Sequence, residues 1–122
     1  MLLGHVYTAL SGSTLVNTKT TKIYPEKRPQ DSDSPSVVYY RAPGGIREND
    51  LQGYCNKENP IIEVTVYASS VDKRSTIAGA VITAMQQATG FLAIVPDPPF
   101  DDYDDETKLY ERTIQFSVWH ST

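Results

Sequence analysis

The chain predicts an α+β domain: a mostly antiparallel four-stranded sheet with helices packed on one face, in the order α-β-β-α-β-β. Three observations carry this. In "IIEVTVYASS", Ile62, Val64, Val66 and Ala68 alternate with Glu63, Thr65 and Tyr67, the period-2 pattern of a half-buried strand. In residues 71–89, Ile77, Ala78, Val81, Ile82, Met85 and Ala88 recur at spacings of three and four, which gives a helix one apolar stripe to lay on a sheet. From about Leu109 to His120, Tyr110, Ile114, Phe116 and Val118 alternate with Glu111, Thr113, Gln115 and Ser117, and Arg112 interrupts the apolar face near its start.

Taken in order, residues 2–10 bring Leu2, Leu3, Val6, Tyr7 and Leu10 onto one helical face, stopped by Gly12 and Ser13. Residues 17–35 carry no period. Pro25, Pro29 and Pro35 punctuate them, and Lys19, Lys22, Lys27 and Arg28 stand against a single early acid, Glu26. This reads as an extended basic arm with room for a brief strand at "TKIY". "SVVYYR", residues 36–41, is β-branched and aromatic, the composition of a strand. Pro43, Gly44 and Gly45 then open a long loop expected to run from 43 to 60. Ser69 or Ser70 can cap the main helix, Asp72 suits its positive end, and Gly90 can close it in a left-handed conformation. "FLAIV", residues 91–95, is a short apolar strand, and an acidic loop from 97 to 106 leads into the last strand.

The bulk properties narrow the function classes. A chain of 122 residues fits one domain with a modest core. Its hydrophobic and charged fractions, 39% and 21%, are those of a folded globular protein and not of a disordered one. The formal charge of −4 argues against a protein whose main task is gripping a nucleic-acid backbone. A single cysteine, Cys55, forms no internal disulfide and suits a reducing compartment. No apolar run is long enough to span a membrane, and "MLLGHVYTAL" lacks the basic start and apolar core of a secretory signal.

Six carboxylates fall in the ten positions from Asp97 to Glu106, and they can be tried against chemistry that needs fixed spacing. A calcium loop of the EF-hand kind starting at Asp102 finds acids at Asp102, Asp104 and Glu106, but its glycine position holds Thr107 and its bidentate position Thr113. That motif fails, although a looser calcium site stays open. A catalytic pair needs one buried and one solvated carboxylate, whereas acids this dense among Pro and Tyr are expected to be solvated and to guard a sheet edge. Cys55 has only His5 and His120, at the chain ends, as candidate bases, and these three make no zinc spacing. "PGGI" lacks the strand and helix of a phosphate loop. Trp119 and the tyrosines could form a stacking surface, yet Tyr39, Tyr40, Tyr67 and Tyr110 fall within strands and read as core or cross-strand pairs. No metal, cofactor or catalytic set is expected.

"KIYPEKRPQ" followed by "PSVVYYR", then "IIEVTVYASS" before a helix containing "AGAVITAM", and last "DYDDETKLYERTIQFSVW", resemble in order and spacing the tail completion proteins of long-tailed bacteriophages, also called tail terminator or head-to-tail joining proteins. The resemblance runs from about Ile23 to Trp119; the first helix is shorter than the family pattern, and residues 43–60 do not align with it. It implies a small non-enzymatic subunit that closes into a ring, expected as a hexamer, at the head-proximal end of the tail. Such a ring ends tail-tube polymerisation and offers a surface to the head connector, while genomic DNA passes through its lumen without sequence-specific binding. Assembly would take place in the host cytoplasm, from a phage or prophage gene, and the product would sit at the head-tail junction. The resemblance carries over a role and no site.

Ring closure joins two unlike patches on neighbouring subunits, and the chain offers two. One is the basic arm with Lys19, Lys22, Lys27 and Arg28; the other is the acidic stretch with Asp101, Asp102, Asp104, Asp105 and Glu106. They are expected to meet across the subunit boundary, with apolar contacts supplying the affinity. A competing placement turns the acids into the lumen, where they would repel DNA. Two other functions stay open: a head-closure or neck adaptor, and a small ligand-binding or enzymatic domain with its site around Tyr54, Cys55 and Asn56.

Overall fold

The computed structural model describes residues 2–18, 20, 22–25, 35–47, 57–88, 91–95, 98–106 and 108–121. Helix α1 (Leu2–Ser11) buries Val6 and Leu10, one turn apart. At its end the Gly12 N–H donates to the Thr8 carbonyl, and a Cβ on Gly12 would lie 2.8 Å from that oxygen. Only glycine fits there without a shift of the backbone. A short α2 (Thr14–Asn17) follows, capped by the Ser13 hydroxyl, which accepts from the Val16 N–H.

The sheet contains β1 (Ile23–Pro25), β2 (Ser36–Arg47), β3 (Lys57–Ala68), β4 (Leu92–Ile94), β5 (Phe100–Asp104) and β6 (Leu109–Ser121). Their spatial order is β1-β2-β3-β6-β4, and β5 also pairs with β6. The one long helix, α3 (Val71–Gln86), joins β3 to β4; the Ser70 hydroxyl accepts from the Lys73 N–H to cap its start. It ends three residues short of the expected boundary, and Gly90 lies outside the described residues.

Two features depart from the four-stranded, mostly antiparallel expectation. The sheet has six strands, and it is mixed: β1 runs parallel to β2, with Ile23 opposite Val37. The chain order becomes α-α-β-β-β-α-β-β-β. The additional strands are β1, which falls where "TKIY" left room for a brief strand, and β5. β1 has three residues and ends in proline, and four of the five residues of β5 are Asp or Tyr, Asp being a poor strand former. Each exists because a neighbouring long strand offers it an edge.

The loop expected at 43–60 is likewise shorter, because β2 reaches Arg47 and β3 begins at Lys57. Pro43, Gly44 and Gly45 mark a bulge within β2 and not the end of the strand. The register steps from Ala42 opposite Ile61 to Ile46 opposite Asn59, which inserts two extra residues on β2. Proline without an N–H is tolerated where the ladder is already broken.

The core lies between the helices and one face of the sheet. Val37, Tyr39, Ile62, Val64, Val66, Ile114, Phe116 and Val118 from the strands meet Val6, Leu10, Val16, Ile77, Val81 and Met85 from the helices. The other face carries a polar ladder. Tyr40, Glu63 and Gln115 stand side by side on β2, β3 and β6; Tyr40 donates its hydroxyl hydrogen to Glu63, and Gln115 donates to the second Glu63 oxygen at 2.9 Å. Thr65 and Thr113 share a hydroxyl hydrogen bond at 3.1 Å beside them.

Candidate functional site

The acidic stretch is a hairpin and not a loop. Phe100–Asp104 pairs with β6 from Phe100 opposite Thr113 to Asp104 opposite Leu109. Its turn is closed by local bonds: the Asp104 carboxylate accepts from the Glu106 N–H at 2.9 Å, and the Asp104 carbonyl accepts from the Lys108 N–H at 2.7 Å. Asp side chains that bind the backbone two residues on are natural turn formers. Lys108 takes a left-handed conformation, φ 59°, to complete it.

Asp101 is exposed like its neighbours on this hairpin, and two guanidinium groups hold it. Its register partner on β6 is Arg112, whose guanidinium donates through Nε to Oδ1 at 2.7 Å and through Nη2 to Oδ2 at 3.1 Å. Arg74, buried on α3, approaches Oδ2 at 3.3 Å and covers the ring of Tyr110 at 5.6 Å. Tyr110 in turn packs on Tyr103, with ring centroids 4.7 Å apart. Hydrogen bonding from Arg112, with further attraction from both guanidinium groups, holds the Asp101 carboxyl below its ordinary range, while the same bond raises Arg112. Arg112, which interrupts the apolar face in the sequence, thus has a reason to do so: the core face ends there in an ion pair.

The remaining candidates divide by place. Asp102, Asp105 and Glu106 are exposed on the hairpin, and Asp104 is half-buried. Lys22 is half-buried immediately before β1, where its carbonyl accepts from the Val37 N–H at 2.9 Å and its N–H donates to the Thr20 hydroxyl at 3.1 Å. Lys19, Lys27 and Arg28 lie outside the described residues, as do Tyr54, Cys55 and Asn56. The two candidate groups therefore reach the sheet at opposite edges, Lys22 beside β1 and the acids in β5.

Side chains that the sequence did not single out complete this edge. Leu92 and Ile94 on β4 and Phe100 on β5 are 58%, 48% and 56% exposed. The short β-pattern around them showed apolar character without showing which side would be covered. A groove of about 570 Å³ between the ends of α1 and α3 is lined by His5, Thr8, Ser13 and Gln87 among others, with no carboxylate or thiol among the described residues of its wall. Among the described residues, no three His, Cys, Asp or Glu side chains come together as a metal site. Among the same residues, no helix is long and apolar enough to cross a membrane.

Comparison with known proteins gives a family and a shared fold. The family described as "Tail completion protein gp17" matches residues 3–121. A solved structure described as "Virion of native gene transfer agent (GTA) particle" contains a chain that superposes with a TM-score of 0.70 at 14% identity, covering 99% of this chain and 95% of that one. No curated protein sequence matches it.

Proposed function

Since this chain belongs to the tail completion protein gp17 family, we propose that it is a structural component of a phage-like particle that forms a ring on the head-proximal end of the tail tube, stops tube growth and presents the surface on which the head is received. The observation that carries the reading is the family match over nearly the whole chain. The shared fold of a chain from a gene transfer agent virion agrees with it.

The subunit has the asymmetry that a ring requires. A heterologous interface joins one patch to a different patch on the next copy, and it closes if the rotation allows. Here the sheet has a basic approach at β1 and an acidic hairpin at β5. Four inter-strand steps separate the edges, about 19 Å at the usual spacing, so the two charged groups lie apart within one subunit. The basic arm, with Lys19, Lys22, Lys27 and Arg28, would then meet Asp102, Asp104, Asp105 and Glu106 of the neighbour. Charges at such a rim set register and encounter rate more than affinity.

The test is growth of tail tubes from their purified tube protein, followed by turbidity and electron microscopy, with and without this chain. Tubes that stop lengthening when it is added support the reading. Tubes that grow unchanged while the chain binds portal-bearing heads would instead make it a head-closure adaptor. Replacing Lys22, Lys27 and Arg28 together by Glu is expected to slow capping at low salt, with the difference from the natural chain shrinking as salt rises; equal rates at low salt would contradict the pairing of arm and hairpin.

A further inference from the structure

The polar rim leaves open what supplies affinity, and the outer edge of the sheet answers this. β4 and β5 both pair with β6 on the side away from β3, so Leu92–Ile94 and Phe100–Asp104 lie along one edge of the sheet, separated between Ile94 and Phe100. Across that separation the partner residues on β6 move from Ser117 to Thr113. Ala93 opposes Val118 and points into the core, so Leu92 and Ile94 point to the face that carries no helix. Phe100, opposite Thr113, lies on that same face, because Thr113 opposes Thr65 in the polar ladder. Trp119, directly opposite Leu92, extends the strip by one strand.

Three large apolar side chains, each about half exposed, thus stand in a row on the helix-free face of a sheet edge. Natural proteins protect such edges with charges or prolines. β5 is protected in this way by Asp101, Asp102 and Asp104; β4, with the sequence Leu-Ala-Ile, is not. A row of apolar groups bordered by charge is the arrangement of an interface core with its rim.

We propose that Leu92, Ile94 and Phe100 form the apolar core of a self-interface, and that its occupant is the β1 edge of a second copy of this chain. The inference rests on the ring reading above and adds where the ring's binding energy comes from. Charge complementarity selects the occupant: the strip is flanked by the acids of β5, while at the opposite edge of the same sheet Lys22 immediately precedes β1, and Lys27 and Arg28 follow that strand within three residues in sequence. The β1 edge also offers apolar surface of its own, with Tyr24 half-buried on the helix-free side and Pro25 exposed. An edge meeting the opposite edge of an identical neighbour repeats with one sense of direction, as a ring needs.

The test is sedimentation velocity of the purified full chain over a wide concentration range at low and moderate salt. It compares the natural chain with the double variant Leu92→Ser and Phe100→Ser and with a control, Val71→Ser, an equally exposed apolar residue on α3. Serine removes apolar area without adding a charge that would alter the rim. The natural chain and the control are expected to associate alike, and the double variant to dissociate at least about ten-fold more readily. Thermal unfolding of all three should be nearly unchanged, because the replaced groups are already half in water. A double variant that associates as well as the natural chain overturns the assigned surface, and tube capping by that variant would show that the ring reading survives without it. A natural chain that stays monomeric throughout overturns the self-interface, and a control weakened as much as the double variant overturns its location.

Discussion

Asp101 sits between two guanidinium groups, and its acid titration follows from that position. Arg112 and Arg74 hold its carboxyl below the ordinary carboxylate range. A depressed folded pKa adds stability above the unfolded value, near 4, and that stability is lost as pH falls through the lower folded value. Asp101→Asn is expected to cost about 0.5–1 kcal/mol at neutral pH, because the buried Arg74 loses its carboxylate while solvent at the exposed Asp101 screens the attraction. Urea unfolding at several pH values should show this gap narrowing once the medium is acid enough to protonate Asp101; a gap independent of pH would contradict the assignment. Lys108 gives an effect of opposite sign. Its left-handed backbone, φ 59°, is strained for a side-chain-bearing residue, and the residue is exposed. Lys108→Gly relieves that strain but adds freedom to the unfolded chain, for a net gain of about 0.5 kcal/mol in the same measurement.

At the scale of elements, the strands with an alternating or apolar, β-branched pattern were legible from sequence, and the acidic one made by its neighbour was not. Ile62, Val64 and Val66 pair with Phe116, Ile114 and Arg112, so both alternating stretches are strands, as expected, and their register is the structure's addition. β5 was not legible, because a run of aspartates has solvent preferences of its own, and only the long edge of β6 makes it a strand. The bulge in β2 was hidden for a similar reason: Pro-Gly-Gly signals a turn locally, and only pairing across Ala42 and Ile46 shows that the strand resumes. The interface candidates divide in the same way. The acids and the bases were visible as charge, whereas the clasp of Asp101 by Arg74 joins residues 27 positions apart and depends on how α3 lies on the sheet. The polar ladder is equally non-local. Hydrogen bonding to Glu63, aided by burial, pushes the Tyr40 hydroxyl up to about 12, so it remains a donor at any ordinary pH. Tyr40→Phe should cost about 1 kcal/mol by thermal or urea unfolding, and less in a Glu63→Gln background, where the bond no longer reaches a charge.

For the whole molecule, the account joins a family role to a directional subunit. A sheet with helices on one face, a basic approach at one edge and an acidic, partly apolar opposite edge has two ends that differ in chemistry. Identical copies of such a subunit can bind head to tail, and closure limits the assembly to a fixed number. The proposed role needs no catalytic group, because stopping a polymer requires only occupation of its growing end. The most direct measurement is electron microscopy with averaging of tail-tube ends after incubation with the purified chain. The account predicts one closed ring of several copies on a single end of each tube, with tube length fixed thereafter. Bare ends, or open stacks of the protein that keep growing, would contradict it.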